Sequence, residues 1–167
     1  MTADWAKYLR KELRGMEKVV ILGTGNALEA DDAAGLYVSS LLDSKLSRYQ
    51  KSRLKVLRAY EIIDIYLKKI KRIRPTHLLI VDAVDLKKKP GTIMIERLDK
   101  EQRRKKKIGG EFSDFLEKLS SETACKIYII GIQPERLDFG HPITPVIKES
   151  CRLLAEFFAF LLPRKSE

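Results

Sequence analysis

The sequence predicts an α/β fold, a three-layer sandwich in which a mainly parallel sheet carries helices on both faces and ends in a short edge strand. Three observations predict it. Val19 to Leu22 and His77 to Val81 are apolar without interruption, as strands covered on both faces are. Amphipathic helical patterns alternate with the strand patterns, and strands joined through helices by right-handed crossovers build a parallel sheet. One segment, Thr92 to Glu96, alternates apolar and polar residues with period two, as a half-exposed edge does.

In chain order, residues 2–15 form a helix that Thr2 can cap and Gly15 can end, with Trp5, Tyr8, Leu9 and Leu13 on one face. We expect it to pack as an extra element outside an α/β core of residues 16–162, the whole of 1–167 being one domain. The strand from Val19 enters a glycine turn, Gly23-Thr24-Gly25-Asn26, and then a helix that buries Ala34, Leu36, Tyr37, Val38, Leu41 and Leu42. A weaker strand, Lys55 to Tyr60, precedes a helix whose Ile62, Ile63, Tyr66, Leu67, Ile70 and Ile73 share a side and which Pro75 stops.

The strand from His77 ends at Asp82, and a loop turning at Pro90-Gly91 leads to the edge strand. From Leu98 to Gly110 the chain is polar, basic and closed by two glycines, as a mobile loop is. A helix with Phe112, Phe115, Leu116 and Leu119 follows, then a strand from Lys126 to Ile130. The long loop from Gly131 ends where Thr144 can cap and Pro145 can begin the last helix. Val146, Ile147, Leu153, Leu154, Phe157, Phe158 and Leu161 cover more than one face of that helix, so part of it can dock on the sheet and part on another chain. A monomer or a weak homodimer is expected.

Composition narrows the function classes. The net charge of +10 comes from 33 Lys and Arg against 23 Asp and Glu that are interspersed along most of the chain. No aromatic residue interleaves the basic runs Lys87 to Lys89 and Arg103 to Lys107, so a nucleic-acid platform is not expected; the runs read as solvated loops, with steering of an acidic protein partner as the alternative. Charged residues make up 34% and Asn occurs once, the bias of hot-living organisms, so a thermophilic source is expected. Cys125 and Cys151 lack metal spacing and a secretory context and are expected to be reduced and buried. No apolar run approaches the length of a membrane span and no signal segment opens the chain, so no membrane insertion and a cytoplasmic location are expected.

Ligands of such sheets bind beyond the carboxyl ends of the strands, where neighbouring crossovers part to opposite faces. The first and third strands are the natural pair, which brings Asp32 and Asp82 to one crevice. A dinucleotide fingerprint would need a glycine where Leu28 stands, and adjacent acids would repel a pyrophosphate. One of Asp31 and Asp32 suits a helix N-terminus; the pair together with Asp82 suits cation coordination by oxygen. No GxSxG or cysteine nucleophile motif is present.

GTGNALEADDAAG, RPTHLLIVDAVDLKKKPG and GIQPERLDFGHPITPVIKES resemble three signature blocks of the nickel-iron hydrogenase maturation endopeptidases, in the hydrogenase 3-type branch. The resemblance spans Val19 to Leu162. It implies cleavage of a C-terminal extension from a hydrogenase large-subunit precursor once nickel is installed, with the nickel carried by the substrate and used for recognition. By their places in the GxGN and VDAxD blocks, Asp32 and Asp82 are the implied catalytic and metal-binding acids. Gly23, Gly25 and Asn26 shape the turn, with Asp31 as the helix-entrance acid. The family's third ligand, a histidine in the loop after the edge strand, falls near Gly110, where this chain has none. His141 or Glu111 would have to stand in. A non-catalytic relative that binds the large subunit or nickel as a maturation chaperone is the alternative the departure leaves.

Overall fold

The computed structural model describes residues 3–60, 64–99 and 111–162. Five strands, β1 (Val19–Thr24), β2 (Leu54–Ala59), β3 (His77–Ala83), β4 (Ile93–Leu98) and β5 (Lys126–Ile132), form one sheet in the order β2-β1-β3-β5-β4. The pairings are parallel except β4 on β5, which is antiparallel and puts β4 at the edge. The helices are α1 (Asp4–Glu12), α2 (Ala34–Lys45), α3 (Arg48–Arg53), α4 (Asp64–Ile73), α5 (Glu111–Glu122) and α6 (Pro145–Leu161).

Side chains alternate across a strand, so the unbroken apolar runs feed both faces. Val19 and Ile21 of β1 with Leu79 and Val81 of β3 pack under α1, α2 and α6, against Leu42, Ile147, Leu154 and Phe158. Val20, Leu22, Leu78 and Ile80 face the other way, onto Leu67 and Ile70 of α4 and Phe115 and Leu119 of α5. The expected sandwich is therefore present. From β1 the chain crosses through α2 on one face to β2, whereas the route from β3 to β5 passes α5 on the other. The switch point lies between β1 and β3.

Several boundaries differ from expectation. The strands β1, β3 and β5 each run two residues beyond the apolar runs, because backbone pairing with a neighbour continues past them. The helix α3 was not expected, since Arg48–Arg53 is polar. Ser47 nevertheless starts it with a capping box, its side chain accepting from the Gln50 amide while the Gln50 side chain accepts from the Ser47 amide. Gln50 is buried, and its Nε2 donates to the carbonyls of Ala159 at 2.7 Å and Leu162 at 3.0 Å, tying α3 to the end of α6.

Helix α1 stops at Glu12, short of Gly15, which still takes the left-handed conformation at φ 74°. Its expected cap, Thr2, lies outside the described residues, as do Ile62, Ile63 and residues 100–110 of the expected mobile loop. Leu98 and Asp99 are described, and Leu98 closes β4 instead of opening the loop. The helix docks on the sandwich through Leu9 and Leu13 and through Trp5, whose ring meets Phe157 edge-on at 5.4 Å. At its end, Glu12 accepts from the Tyr128 hydroxyl at 2.7 Å and pairs with Arg97.

Candidate active site

Two close approaches set the site. A side chain at Gly23 would place its Cβ 2.1 Å from the Gly35 carbonyl oxygen, and one at Gly35 would place it 2.1 Å from that of Val81 and 2.4 Å from that of Thr24. Glycine at both positions lets the start of α2 lie directly on the carboxyl ends of β1 and β3. Gly25, at φ 142° and with the Asp32 carbonyl 1.9 Å from where its Cβ would be, closes the turn between strand and helix.

Asn26 then organises the turn from its centre. Its side chain accepts from the Leu28 amide at 2.9 Å and its carbonyl from the Glu29 amide at 3.3 Å, while its own amide donates to Oδ2 of Asp32 at 2.8 Å. Asp32 is half-buried, in the single turn of 3-10 helix, Ala30–Ala33, that leads into α2. The backbone that comes out of β1 thus holds the carboxylate that closes the turn.

Asp82 comes from the neighbouring strand, half-buried near the end of β3 with Oδ1 accepting from the Ala83 amide at 2.9 Å. Burial pushes its carboxyl up to about 7, and the negative charge of Asp32 adds to the rise, with the Thr24 hydroxyl and the Ala83 amide working against both. Asp32, in the turn that leads into α2, and Asp82, near the end of β3, lie at the same end of the sheet, near enough for the charge of one to bear on the other. Near neutrality the pair can hold one proton between them, which gives one site both an acid and a base. It also presents hard oxygen donors whose repulsion a cation would relieve.

Asp31 does something other than cap its helix. It is fully buried, and Oδ2 accepts from the amides of Glu135 and Arg136, each at 2.9 Å, while Oδ1 accepts from the Thr144 amide at 2.7 Å and hydroxyl at 3.0 Å. The Asp31 amide in turn donates to the Arg136 carbonyl at 3.2 Å. This carboxylate fastens the loop before α6 to the helix entrance, so Thr144 stands at the N-cap position with its hydroxyl engaged by Asp31 and no side-chain cap bond of its own. The expected helix-entrance acid is a buried structural anchor.

The remaining candidates are placed apart. His141 is exposed in the loop that Asp31 fastens, and among the described residues no three His, Cys, Asp or Glu gather closely enough to hold a metal. The structure thus does not gather His141 with Asp32 and Asp82 among the described residues. The side chain of Glu111, at the start of α5, lies outside the described residues, as does Gly110. Cys151 is buried beneath the helix entrance, its thiol pushed up to about 12 chiefly by burial and donating toward the Ala34 carbonyl, so it is no nucleophile. Cys125 is half-buried, its sulfur 3.1 Å from the Thr123 hydroxyl, which corrects the expectation of full burial.

Two contributors went unforeseen. Thr24 closes β1 with its hydroxyl donating to the Val81 carbonyl at 3.3 Å, beside Asp82. Gln133 is buried, and its Oε1 accepts from the Leu86 amide at 2.7 Å, which pins the loop that follows Asp82. A polar residue immediately past the end of β5, the strand paired with β3, was the available signal for Gln133.

A mainly parallel sheet whose strand order turns at β1 and β3, with helices on both faces, defines an α/β sandwich with its candidate site at the switch point. Comparison with known proteins narrows the class. A family model described as HycI, hydrogenase maturation protease, matches residues 42–159, and the chain belongs to the hydrogenase maturation protease family.

The chain is 32% identical over 157 residues to a Methanocaldococcus jannaschii protein provisionally named a hydrogenase maturation protease, covering 85% of this chain and 86% of that one. It is 30% identical over 132 residues to the hydrogenase 3 maturation protease of Escherichia coli, covering 78% and 82%. The crystal structure of the [NiFe] hydrogenase maturation protease HycI from Thermococcus kodakarensis superposes with a TM-score of 0.79 at 25% identity, over 92% of this chain and 97% of that one.

Proposed function

We propose that this chain is an endopeptidase that removes the C-terminal extension of a nickel-iron hydrogenase large-subunit precursor after nickel insertion, and that it recognises the nickel the substrate carries. The observation that carries the reading is the Asp32 and Asp82 pair, held on one crevice with Asp82 raised to about 7. Two carboxylates are too few to hold a transition metal alone, and oxygen donors by themselves favour harder ions. They suit a metal that arrives with its other ligands already in place, as nickel bound by the substrate does.

In this reading the chain's own part is positional and acid-base. Asp32, fixed by the Asn26 amide, and Asp82, fixed by the Ala83 amide, meet the substrate at the crevice. The member of the pair that does not face the metal takes a proton from the attacking water and returns one to the leaving amine. The metal, when the substrate presents it, supplies Lewis acidity at the scissile carbonyl. Any third protein ligand would come from His141 or Glu111, or the substrate would complete the set.

Action in the cytoplasm, a thermophilic source and a monomeric or weakly dimeric state belong to the same reading. Among the described residues no helix is long and apolar enough to cross a membrane. The test is processing of matched precursors: purified protein is expected to shorten nickel-loaded large subunit and leave nickel-free large subunit intact. Equal cleavage of both would overturn nickel recognition. Binding of the precursor without cleavage of either form would favour the chaperone alternative, which the two-acid site keeps in view.

A further inference from the structure

Leu28, Leu137 and Phe139 expose 59%, 52% and 72% of their surface. A single exposed leucine means little, but three large apolar residues on adjoining backbone mark a surface with a use. Their backbone does adjoin: the Gly140 amide donates to the Leu28 carbonyl at 2.7 Å, and the Asp31 amide to the Arg136 carbonyl at 3.2 Å. Asp31 also takes the Glu135 and Arg136 amides at one end of the loop and Thr144 at the other.

The rim these residues make is fixed and next to the acids. Leu28 sits two residues past Asn26, whose side chain accepts its amide and whose own amide donates to the Asp32 carboxylate. Gly140, at φ 77°, turns the loop immediately after Phe139. A side chain that is 72% exposed on backbone anchored by a buried carboxylate binds with little ordering cost, since the ordering is already done in the free protein.

We infer that Leu28, Leu137 and Phe139 form a substrate-docking rim that takes the apolar side chains of the precursor's C-terminal segment beside the scissile bond. The inference rests on the proposed endopeptidase reading and adds to it the specificity-determining surface. Continuity with the acid site selects this occupant: Leu28 is joined through Asn26 to the Asp32 carboxylate, and the Phe139 loop is joined to Leu28 through the Gly140 amide. Large apolar anchors of this kind dominate peptide recognition when they become buried.

The test separates binding from chemistry. With nickel-loaded precursor, Phe139→Ser and Leu28→Ser are each expected to raise KM about tenfold or more, the equivalent of a single lost apolar anchor, with kcat nearly unchanged and Phe139→Leu recovering most of the loss. Replacing the apolar residues of the precursor's C-terminal segment by serine is expected to weaken the wild type similarly and to add little to Phe139→Ser. Unchanged KM in both serine variants, or a fall confined to kcat, would overturn the rim. If the wild type binds precursor in a calorimeter without cleaving it, the endopeptidase reading fails while the rim is still judged, by whether Phe139→Ser loses that binding. A wild type that neither binds nor cleaves would overturn both.

Discussion

Asp82 shows how one residue can carry both a cost and a use. An isolated carboxyl loses its proton near pH 4, and this one holds it to about 7 because burial and the Asp32 charge both disfavour the anion. Between those values the folded metal-free chain binds more protons than the unfolded one, so stability falls as pH rises from about 4 to about 7 and is level above. Asp82→Asn removes that slope: measured by urea unfolding in chelator, the variant is expected to gain on the order of 4 kcal/mol on the wild type between pH 4 and pH 8. An identical pH slope in both proteins would mean that Asp82 titrates normally. Asp31, its near neighbour in sequence, spends its charge differently, on amides 104 and 105 residues away. Nothing local in the sequence distinguishes two adjacent acids at a helix entrance, which is why Asp31 reads as a cap and Asp32 is singled out only by its place in the GxGN block the resemblance supplies.

At the level of elements, the strands and the larger helices were legible because periodicity and burial coincide: Val19 to Leu22 and His77 to Val81 are apolar on both faces and central in the sheet. Helix α3 was hidden because its stability comes from a cap and a buried glutamine instead of an apolar stripe, although the Ser47 and Gln50 spacing was there to be read. The joint of β1 with α2 is the element contact on which the site depends. Gly35→Ala would put a methyl within 2.1 Å of the Val81 carbonyl and force the helix off the strand ends. It is expected to cost about 1–3 kcal/mol, as overpacking does, and to displace Asp32 enough to depress precursor cleavage. An unchanged urea midpoint with full activity would show that the joint tolerates separation.

For the whole molecule, the fold places function by topology. The sheet order turns between β1 and β3, the carboxyl ends of those strands present one acid each, and the loop before α6 closes over the same end through Asp31. The switch point could be placed from sequence because it follows from connectivity alone. The anchoring of the Phe139 loop could not, since it depends on side-chain partners more than a hundred residues apart. The fold and the family are those of the hydrogenase maturation proteases, and the acid pair is the part of the account on which the proposed chemistry turns. Intact-mass analysis of nickel-loaded large-subunit precursor, after incubation with wild type, Asp32→Asn or Asp82→Asn, tests it most directly. The wild type is expected to yield a shortened precursor and either variant a rate at least about 100-fold lower, the scale of a lost general acid or base, while Asp82→Asn unfolds no earlier than the wild type. Cleavage by Asp82→Asn at the wild-type rate would contradict that chemistry.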